Sequence, residues 1–294
     1  YIEFETISGD VQRTQHLYER CLIPCQMCPN IWINYATFLY SIGKVSEAEE
    51  LLEQRAFNGL VGMDVEFLRL YGMFEESNEN LQKANIIFEK INDEMTKPNG
   101  RFFNSGSARI ALSSYYLRHA ELQDRAIPVL VDFLNRYGQT LPESDGRQPL
   151  KRNQNKYDNS PDQREYVVVA AALSQLMSLE TFEANYIAEL RQKCLKVPLA
   201  LAICVKTMVQ NNRIEQAKQV YDEFLNSPKS QMTLADKEEI FPQYIEFLRK
   251  NATLTEIRQA ERQYLQVQKA HRKEIMDERR EKSKDTTNLS EIMD

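Results

Sequence analysis

The chain has 294 residues, of which 42% are hydrophobic and 27% charged, and this composition is typical of a folded soluble protein. No apolar run is long enough to cross a bilayer, and the N-terminal residues lack the pattern of a signal peptide, so we expect no membrane attachment. The formal net charge of −6 excludes a surface that is basic throughout. Protein partners are therefore favoured, with any RNA contact confined to small regions.

A repeat of about 35 residues is visible from the first residue onward. The segment that begins at Tyr1 aligns with the segment that begins at Tyr35 at a constant offset of 34. The latter aligns with the segment that begins at Tyr71 at an offset of 36. Because the chain begins without Met and within a repeat, we expect it to be a fragment of a longer array.

Each copy has the pattern of two helices. Tyr35 and Phe38 recur on one face of the first helix, and Ala48 begins the corresponding face of the second. Gly9 or Gly43 lies between the two helices, where a helix end needs a residue that tolerates a left-handed conformation. One pair cannot cover its own apolar face, so the sequence predicts an all-α fold, an α-solenoid of stacked helix pairs with the aromatic residues in its core.

Weaker copies follow at residues 108–134, 213–225 and 243–265. A degenerate copy at residues 166–190 opens with three valines, which is typical of a strand, but its length and its alanines favour a helix. We therefore count six recognisable helix pairs and one degenerate pair, and we predict no strand.

Composition divides the chain into four regions. Residues 136–165 are rich in Pro, Gly, Asn and charge, which predicts a flexible polar loop between two halves of the array. Residues 269–294 have almost no apolar face, which predicts a charged helix that frays into a flexible tail. The repeats then occupy residues 1–135 and residues 166–268.

Three of the five cysteines, Cys21, Cys25 and Cys28, have the C-x3-C-x2-C spacing with which radical-SAM enzymes hold an iron–sulfur cluster. Such an enzyme also needs a barrel of strands and helices and a Gly-rich loop, and the sequence has the pattern of neither. The repeat places these cysteines at and after the end of a second helix, so we expect small packing residues at a tight turn, in a reducing compartment. An iron–sulfur or zinc site, with His16 as a fourth ligand of zinc, stays the alternative.

No catalytic motif is present in the sequence, so we predict a non-catalytic protein without a cofactor. The histidines His16, His119 and His271 are scattered, and His119 is expected in the core or in a groove because its surroundings have an apolar helical pattern. Glu75 and Glu76 are neighbours on a predicted helix, so we expect them to point in different directions and to be solvated.

Basic residues concentrate in the predicted loop and tail. They either contact RNA phosphates or an acidic partner, or they keep flexible segments soluble. Four acidic residues between Glu274 and Glu281 weaken the basic field of the tail. The candidate contact residues are Arg147, Lys151, Arg152, Lys156, Arg272, Lys273, Arg279 and Arg280.

The repeat resembles the half-a-tetratricopeptide (HAT) repeat of RNA-processing scaffolds. The second copy reads W-x2-Y-A-x-F-L from Trp32, then Gly43, then A-x2-L-L-E from Ala48. With YIEFE from Tyr1 and LYERCL from Leu17, the chain is most similar to the pre-mRNA-processing factor thirty-nine family, the HAT proteins of the U1 snRNP. This similarity covers roughly the first 90 residues, and the later repeats match only as generic HAT units.

The resemblance implies a nuclear scaffold in pre-mRNA splicing that organises U1 snRNP proteins for recognition of the 5′ splice site. A HAT scaffold of another RNA-processing complex, an mRNA 3′-end cleavage factor, is the alternative. The resemblance also implies pairing through the C-terminal repeats, as a homodimer or as a heterodimer with a paralogous HAT protein. Residues 239–265 are then expected to form the dimer interface, with Phe241, Tyr244, Phe247 and Leu248 as anchors.

Overall fold

All regular structure in the described part of the protein is helical, which confirms the predicted all-α class. The chain forms two compact units, Tyr1–Phe133 and Leu134–Asp294. No helix among the described residues is both long and apolar enough to span a membrane. The computed structural model describes residues 1–138, 163–227, 230 and 232–293.

The first unit contains the better conserved copies of the repeat pattern. Each copy is an antiparallel pair of helices, and short segments connect one pair to the next. Its helices are α1 (Ile2–Ser8), α2 (Val11–Leu22), α3 (Pro29–Ser41), α4 (Val45–Glu50) with a π-helical continuation (Leu51–Phe57), α5 (Val65–Ser77), α6 (Leu81–Thr96), α7 (Gly106–Arg118) and the start of α8 (Ala126–Gly138). Single 3-10 turns lie at Val61–Met63 and Ala120–Arg125.

The second unit contains the degenerate copy and the last two of the weaker copies. The degenerate copy is helical as predicted, but α9 ends at Leu176 and the hydroxyl of Ser178 accepts a hydrogen bond from the Thr181 backbone to begin the next helix. Its helices are α9 (Gln163–Leu176), α10 (Leu179–Phe182) with a π-helical continuation (Glu183–Ile187), α11 (Ala188–Lys193), α12 (Pro198–Gln210), α13 (Ile214–Leu225), α14 (Leu234–Asn251) and α15 (Leu254–Met293).

The turn inside a helix pair has the same backbone conformation in four repeats. Gly9 and Gly43 adopt φ angles of 83° and 78°, which confirms their predicted role as left-handed helix caps. Glu79 and Asn212 occupy the same position in later repeats, with φ angles of 62° and 55°. In the second, third and sixth repeats the next backbone N–H donates to a carbonyl five residues earlier at 2.9 Å, as in Lys44 to Leu39. The turn geometry is therefore fixed by the repeat, and glycine supplies it in only two of these copies.

The core of the first unit lies between the helix pairs. Trp32 is 6% exposed, and its indole N–H donates to the Gln26 carbonyl at 2.9 Å, which ties the connection before α3 to that helix. Gly72 lets α5 and α6 approach closely, because a Cβ atom there would lie 2.4 Å from the Phe88 ring. Packing of the two helices within the third repeat thus depends on one large ring and one missing side chain at the same contact.

Candidate protein-interaction surfaces

Stacked aromatic rings join one repeat to the next. In each case a ring on a second helix lies flat against a tyrosine on the following first helix, an arrangement that adds about 0.5–1.5 kcal/mol to the burial of the rings. The centroid distances are 4.8 Å for Tyr18–Tyr35, 4.1 Å for Phe88–Tyr115 and 4.5 Å for Tyr221–Tyr244. Burial raises the pKa of Tyr35 and of Tyr244 to about 12, so both phenols stay neutral.

The aromatic residues that the sequence assigned to the core are buried. Tyr35, Phe38, Tyr71 and Phe74 expose between 3% and 8% of their surface. Their rings contact neighbouring helices of the same chain, so they are not positioned to stack on bases. This confirms the core assignment made from the repeat pattern.

Ion pairs join neighbouring repeats at the rim of the same contacts. Exposed pairs of this kind contribute only about 0.2–1 kcal/mol each, so their main effect is to favour one register between helices. The N···O distances are 2.8 Å for Arg55–Glu19, 3.1 Å for Lys83–Glu49, 2.6 Å for Arg118–Glu76, 2.6 Å for Arg191–Glu223 and 3.1 Å for Lys218–Glu256.

The expectation that Glu75 and Glu76 are solvated is wrong. Glu75 is 1% exposed, and its Oε2 atom has no hydrogen-bond partner among the described residues. Burial raises the pKa of this carboxyl, while the Lys83 ammonium opposes the shift. Glu76 pairs with Arg118 in the next repeat. The repeat alignment could have predicted this burial, because Glu75 occupies the position of Leu39, a core residue of the preceding copy.

His119 follows α7 and lies partly buried between two repeats, in agreement with its predicted place in a groove. Its Nε2 atom is 2.7 Å from the Glu76 carboxylate, and its ring lies 4.6 Å from the Tyr115 ring. Both contacts fix the start of the connection to α8. His119 is therefore part of the repeat packing.

The cysteine segment forms the connection that the repeat predicts. Cys21 lies in the last turn of α2, and Cys28 is the residue that precedes α3. The Cys25 N–H donates to the Cys21 carbonyl at 3.1 Å, and the Cys28 N–H donates to the Cys25 carbonyl at 2.9 Å. Among the residues the structure describes, no three histidine, cysteine or acidic side chains gather as ligands of a metal ion. The backbone of a tight turn accounts for the spacing of these cysteines.

Three of the four predicted dimer anchors are buried within the chain itself. Phe241, Tyr244 and Leu248 are 1%, 6% and 2% exposed. The Phe241 ring packs against Tyr264 of α15, so its side chain cannot serve as a direct contact while this helix pair is closed. Phe247 is the only one of the four that is partly exposed. Dimerisation through residues 239–265 stays a prediction, and Phe247 is its remaining anchor.

The basic residues of the tail lie on an exposed helix. Residues 272–280 of α15 all expose their side chains, and Arg280 lies 3.9 Å from Asp277. Arg272, Lys273 and Arg279 are thus accessible to a partner. The four loop candidates Arg147, Lys151, Arg152 and Lys156 lie outside the described residues.

Two open grooves lie in the first unit. One, of about 360 Å³, is lined by Trp32 and Arg55, with the exposed side chains of Ile23 and Leu60 at its edge. The guanidinium of Arg55 lies 5.8 Å from the Trp32 ring and pairs with Glu19, so its charge is already compensated.

The second groove, of about 440 Å³, lies along α2 beside Tyr1. It is lined by Tyr1 and by a row of polar residues on α2 that includes Arg13, His16 and Arg20. Sequence reasoning missed this surface. The repeat alignment could have indicated its basic residues, because Lys83 and Lys90 of the third repeat stand 70 residues after Arg13 and Arg20.

The described helix pairs define the class of this protein, an all-α array of HAT-type repeats. Residues 1–103 match the model of the family described as PRP39 C-terminal HAT repeat. The predicted resemblance to the pre-mRNA-processing factor thirty-nine family is confirmed for this segment.

Curated relatives match the same part of the chain. The chain is 34% identical over 92 residues to Pre-mRNA-processing factor 39 of Schizosaccharomyces pombe, a match covering 31% of this chain and 15% of the relative. It is 30% identical over 91 residues to the protein of that name from Danio rerio, which covers 31% of this chain and 12% of the relative. The corresponding Mus musculus protein is 30% identical over 95 residues, 32% of this chain and 14% of the relative. The matched segment is thus a small part of each relative's length.

Proposed function

We propose that this chain is a part of a non-catalytic scaffold that acts in pre-mRNA splicing. The observation that carries the proposal is the match of residues 1–103 to the PRP39 C-terminal HAT repeat, together with relatives whose name denotes pre-mRNA processing. In finer terms, the scaffold holds protein subunits of the U1 snRNP in the nucleus during recognition of the 5′ splice site.

The chemistry of the described residues supports a binding role. Tyr35 and Glu75, whose pKa values are raised by burial, lie between packed helices, where they contribute to the contact between repeats. The exposed apolar side chains instead lie on helix faces and connections of the repeats, as at Phe4, Ile23 and Leu60. Contiguous exposed apolar surface marks protein-interaction sites, and Ile23 and Leu60 line the same groove.

RNA recovery from nuclear extract tests the splicing role. The tagged full chain is captured from nuclear extract, and U1, U2 and U6 RNAs are quantified in the captured material. The proposal predicts that U1 RNA is enriched over U2 and U6 RNA by at least roughly tenfold. Equal recovery of all three RNAs contradicts it, and enrichment of 3′-end cleavage factors without U1 RNA would favour the alternative complex.

We further propose that two HAT chains, identical or paralogous, pair through residues 239–265. Light scattering across a concentration series measures the mass of the full chain and of two variants. Phe247→Asp should convert a dimer to a monomer, because it places a charge on the partly exposed anchor. Val168→Asp is the control, since Val168 is 42% exposed on α9, outside this region. A wild-type monomer at every concentration would contradict self-pairing.

A further inference from the structure

The cysteines of the chain differ in their access to solvent. Cys194 and Cys204 are buried in the second unit, and burial raises the pKa of each thiol to about 12, which keeps both thiols protonated and unreactive. Cys21 and Cys25 are partly exposed and Cys28 is exposed, at the connection between the first and second helix pairs. Thiol chemistry with a dissolved reagent is therefore expected at this connection.

The backbone holds Cys25 and Cys28 at the two ends of one tight turn. The Cys28 N–H donates to the Cys25 carbonyl at 2.9 Å, which is the hydrogen bond of a four-residue turn. Such a turn brings the Cα atoms of its first and last residues to within about 7 Å. A disulfide needs a Cα separation of about 4.4–6.8 Å. The turn therefore keeps these two cysteines at a separation that a disulfide can bridge.

Cys21 is a poorer partner for Cys25. The Cys25 N–H donates to the Cys21 carbonyl at 3.1 Å, which is the hydrogen bond of an α-helix. Side chains four residues apart on a helix have Cβ atoms about 5–6 Å apart, whereas a disulfide needs about 3.5–4.5 Å. A bond between Cys21 and Cys25 would therefore require the end of α2 to unwind.

Contacts with α3 hold the turn in place. The Gln26 carbonyl lies between the two cysteines in the sequence and accepts the indole N–H of Trp32 at 2.9 Å. Cys28 directly precedes α3, and Pro29 begins that helix with a fixed φ angle. Among the described residues, the Cys28 side chain makes no capping hydrogen bond to the helix. A new bond to its sulfur therefore breaks no capping contact.

The position of Cys28 is also accessible in later repeats. Asp64 and Ser105 precede α5 and α7 as Cys28 precedes α3. Both are partly exposed, although described helix pairs flank Asp64 on both sides. A side chain at this position thus stays accessible when repeats lie before and after it.

We propose that Cys25 and Cys28 form a reversible disulfide by exchange with glutathione disulfide. The Cys28 thiolate attacks one sulfur of glutathione disulfide, which forms a mixed disulfide and releases one glutathione thiolate. The Cys25 thiolate then attacks the Cys28 sulfur, which forms the protein disulfide and releases the second glutathione. The two thiol protons of the protein pass to the two glutathiones. The protein thus loses two electrons, and glutathione disulfide gains them.

The disulfide would close the turn around Gln26. Gln26 and Trp32 both line the groove of about 360 Å³, so the modified turn forms part of one wall of that groove. Trp32 is also the only tryptophan in the sequence, so its emission reports on this turn alone. This inference rests on contacts within the chain and is independent of the proposed role in splicing.

Equilibration of the full chain with glutathione buffers tests the proposal. The ratio of oxidised to reduced glutathione is varied, free thiols are blocked with N-ethylmaleimide, and peptide mapping by mass spectrometry quantifies each disulfide. We expect the Cys25–Cys28 bond, with an equilibrium constant for oxidation at least roughly tenfold larger in the native chain than in the chain unfolded in urea, because the folded turn holds the thiols together. An equal or smaller constant in the native chain overturns the proposal.

Serine variants identify the pair. Cys28→Ser and Cys25→Ser should each abolish the disulfide and leave only a mixed disulfide with glutathione on the remaining thiol. Cys28→Ser should fold normally, because the residue is exposed and serine is favoured before a helix. Cys21→Ser is the control and should leave the equilibrium constant unchanged. A Cys21–Cys25 bond, a disulfide between two chains, or a mixed disulfide alone in the wild type overturns the proposal.

Trp32 emission gives a second, independent measurement. A disulfide quenches a nearby indole, so emission should fall when the wild type is oxidised and recover when dithiothreitol reduces it. Cys28→Ser in the same buffers should keep the emission of the reduced chain. If emission stays unchanged while mass spectrometry shows the Cys25–Cys28 bond, the bond forms away from Trp32 and the proposed geometry is wrong.

Discussion

The first and third repeats each bring together a tyrosine, a glutamate and a basic residue. The charged residues nevertheless pair differently in the two repeats. In the first repeat the buried Glu5 carboxylate lies 3.0 Å from Arg13. In the third repeat Lys83 pairs with Glu49 of the preceding helix, and Glu75 is left buried with one oxygen lacking a hydrogen-bond partner in the described residues.

The difference shows how the helix that packs on a repeat from the preceding repeat changes the charge pairing within it. A lysine or arginine side chain has a limited number of hydrogen-bond donors. Carboxylates on the helix of the preceding repeat compete for these donors with the carboxylate of the same repeat. Where the competition is lost, burial raises the pKa of the remaining carboxyl, as at Glu75. The same residue pattern therefore pairs its charges differently according to what packs on it.

Truncating the tyrosine of each repeat should give the largest contrast. Tyr71→Ala removes a side chain that is 3% exposed, and we expect it to lower the free energy of unfolding by about 3–5 kcal/mol. Tyr1→Ala removes one that is 72% exposed and should cost less than about 0.5 kcal/mol. Urea denaturation followed by circular dichroism measures both. Equal losses of unfolding free energy would contradict the burial of Tyr71 and the exposure of Tyr1.

Replacing the buried glutamate should stabilise the third repeat. Glu75→Leu introduces the residue that Leu39 provides at the same position, and it removes a buried acid with an unpartnered oxygen. We expect the free energy of unfolding to rise by about 1–3 kcal/mol at neutral pH. A decrease in that free energy would show that the carboxyl makes a favourable contact in the native protein.

The gain from Glu75→Leu should depend on pH. The folded-state pKa of Glu75 is raised above its unfolded value, so the folded protein binds more protons in the interval between the two. Wild-type stability then falls as pH rises from 4.5, the ordinary pKa of a glutamate carboxyl, through the raised pKa. The difference in free energy of unfolding between Glu75→Leu and wild type should therefore shrink as pH is lowered to 4.5 and below. The stability of Glu75→Gln should depend on pH in the same way as that of the leucine variant.

The turn position offers a smaller and independent contrast between repeats. Glu79 adopts a φ angle of 62° at the position that Gly9 and Gly43 occupy in earlier repeats. A side chain in this conformation costs roughly 1 kcal/mol, so Glu79→Gly should raise the free energy of unfolding by up to about 1 kcal/mol. Asn212→Gly is the matched control and should gain less, because asparagine tolerates this conformation better than glutamate. A loss on Glu79→Gly in urea denaturation would contradict the argument.

Much of the fold follows from the sequence because the repeat is a local pattern. Apolar spacing predicts the helix pairs, and the position of Gly43 predicts the left-handed turn that recurs without glycine at Glu79. Even the degenerate copy at residues 166–190 is helical, since length and composition outweigh its three valines. Local rules suffice wherever each residue's conformation depends on its own helix.

The surfaces were harder to predict because they depend on neighbouring helices. The expected solvation of Glu75 rests on the different directions of adjacent side chains on a helix, whereas its repeat position determines its burial. Phe241 and Tyr244 are expected as interface anchors because the resemblance implies pairing through the C-terminal repeats, but α13 and α15 of the same chain already cover them. The alignment of repeats held the correct answer in each case, since the equivalent residues of earlier copies are core residues.

The smallest expected effect concerns the lysine itself. Lys83→Gln removes one exposed ion pair with Glu49, a change that should lower the free energy of unfolding by only about 0.2–1 kcal/mol. It also removes the cation that opposes the raised pKa of Glu75, so the pKa of this carboxyl should rise further. Arg13→Gln removes the partner of Glu5 instead, which is the matched change in the first repeat. NMR titration of the Glu75 carboxyl in wild type, Lys83→Gln and Arg13→Gln measures the effect, which we expect with Lys83→Gln alone. If Lys83→Gln leaves the titration of Glu75 unchanged, the lysine does not act on this carboxyl. Competition between carboxylates for the lysine then cannot explain why the two repeats differ.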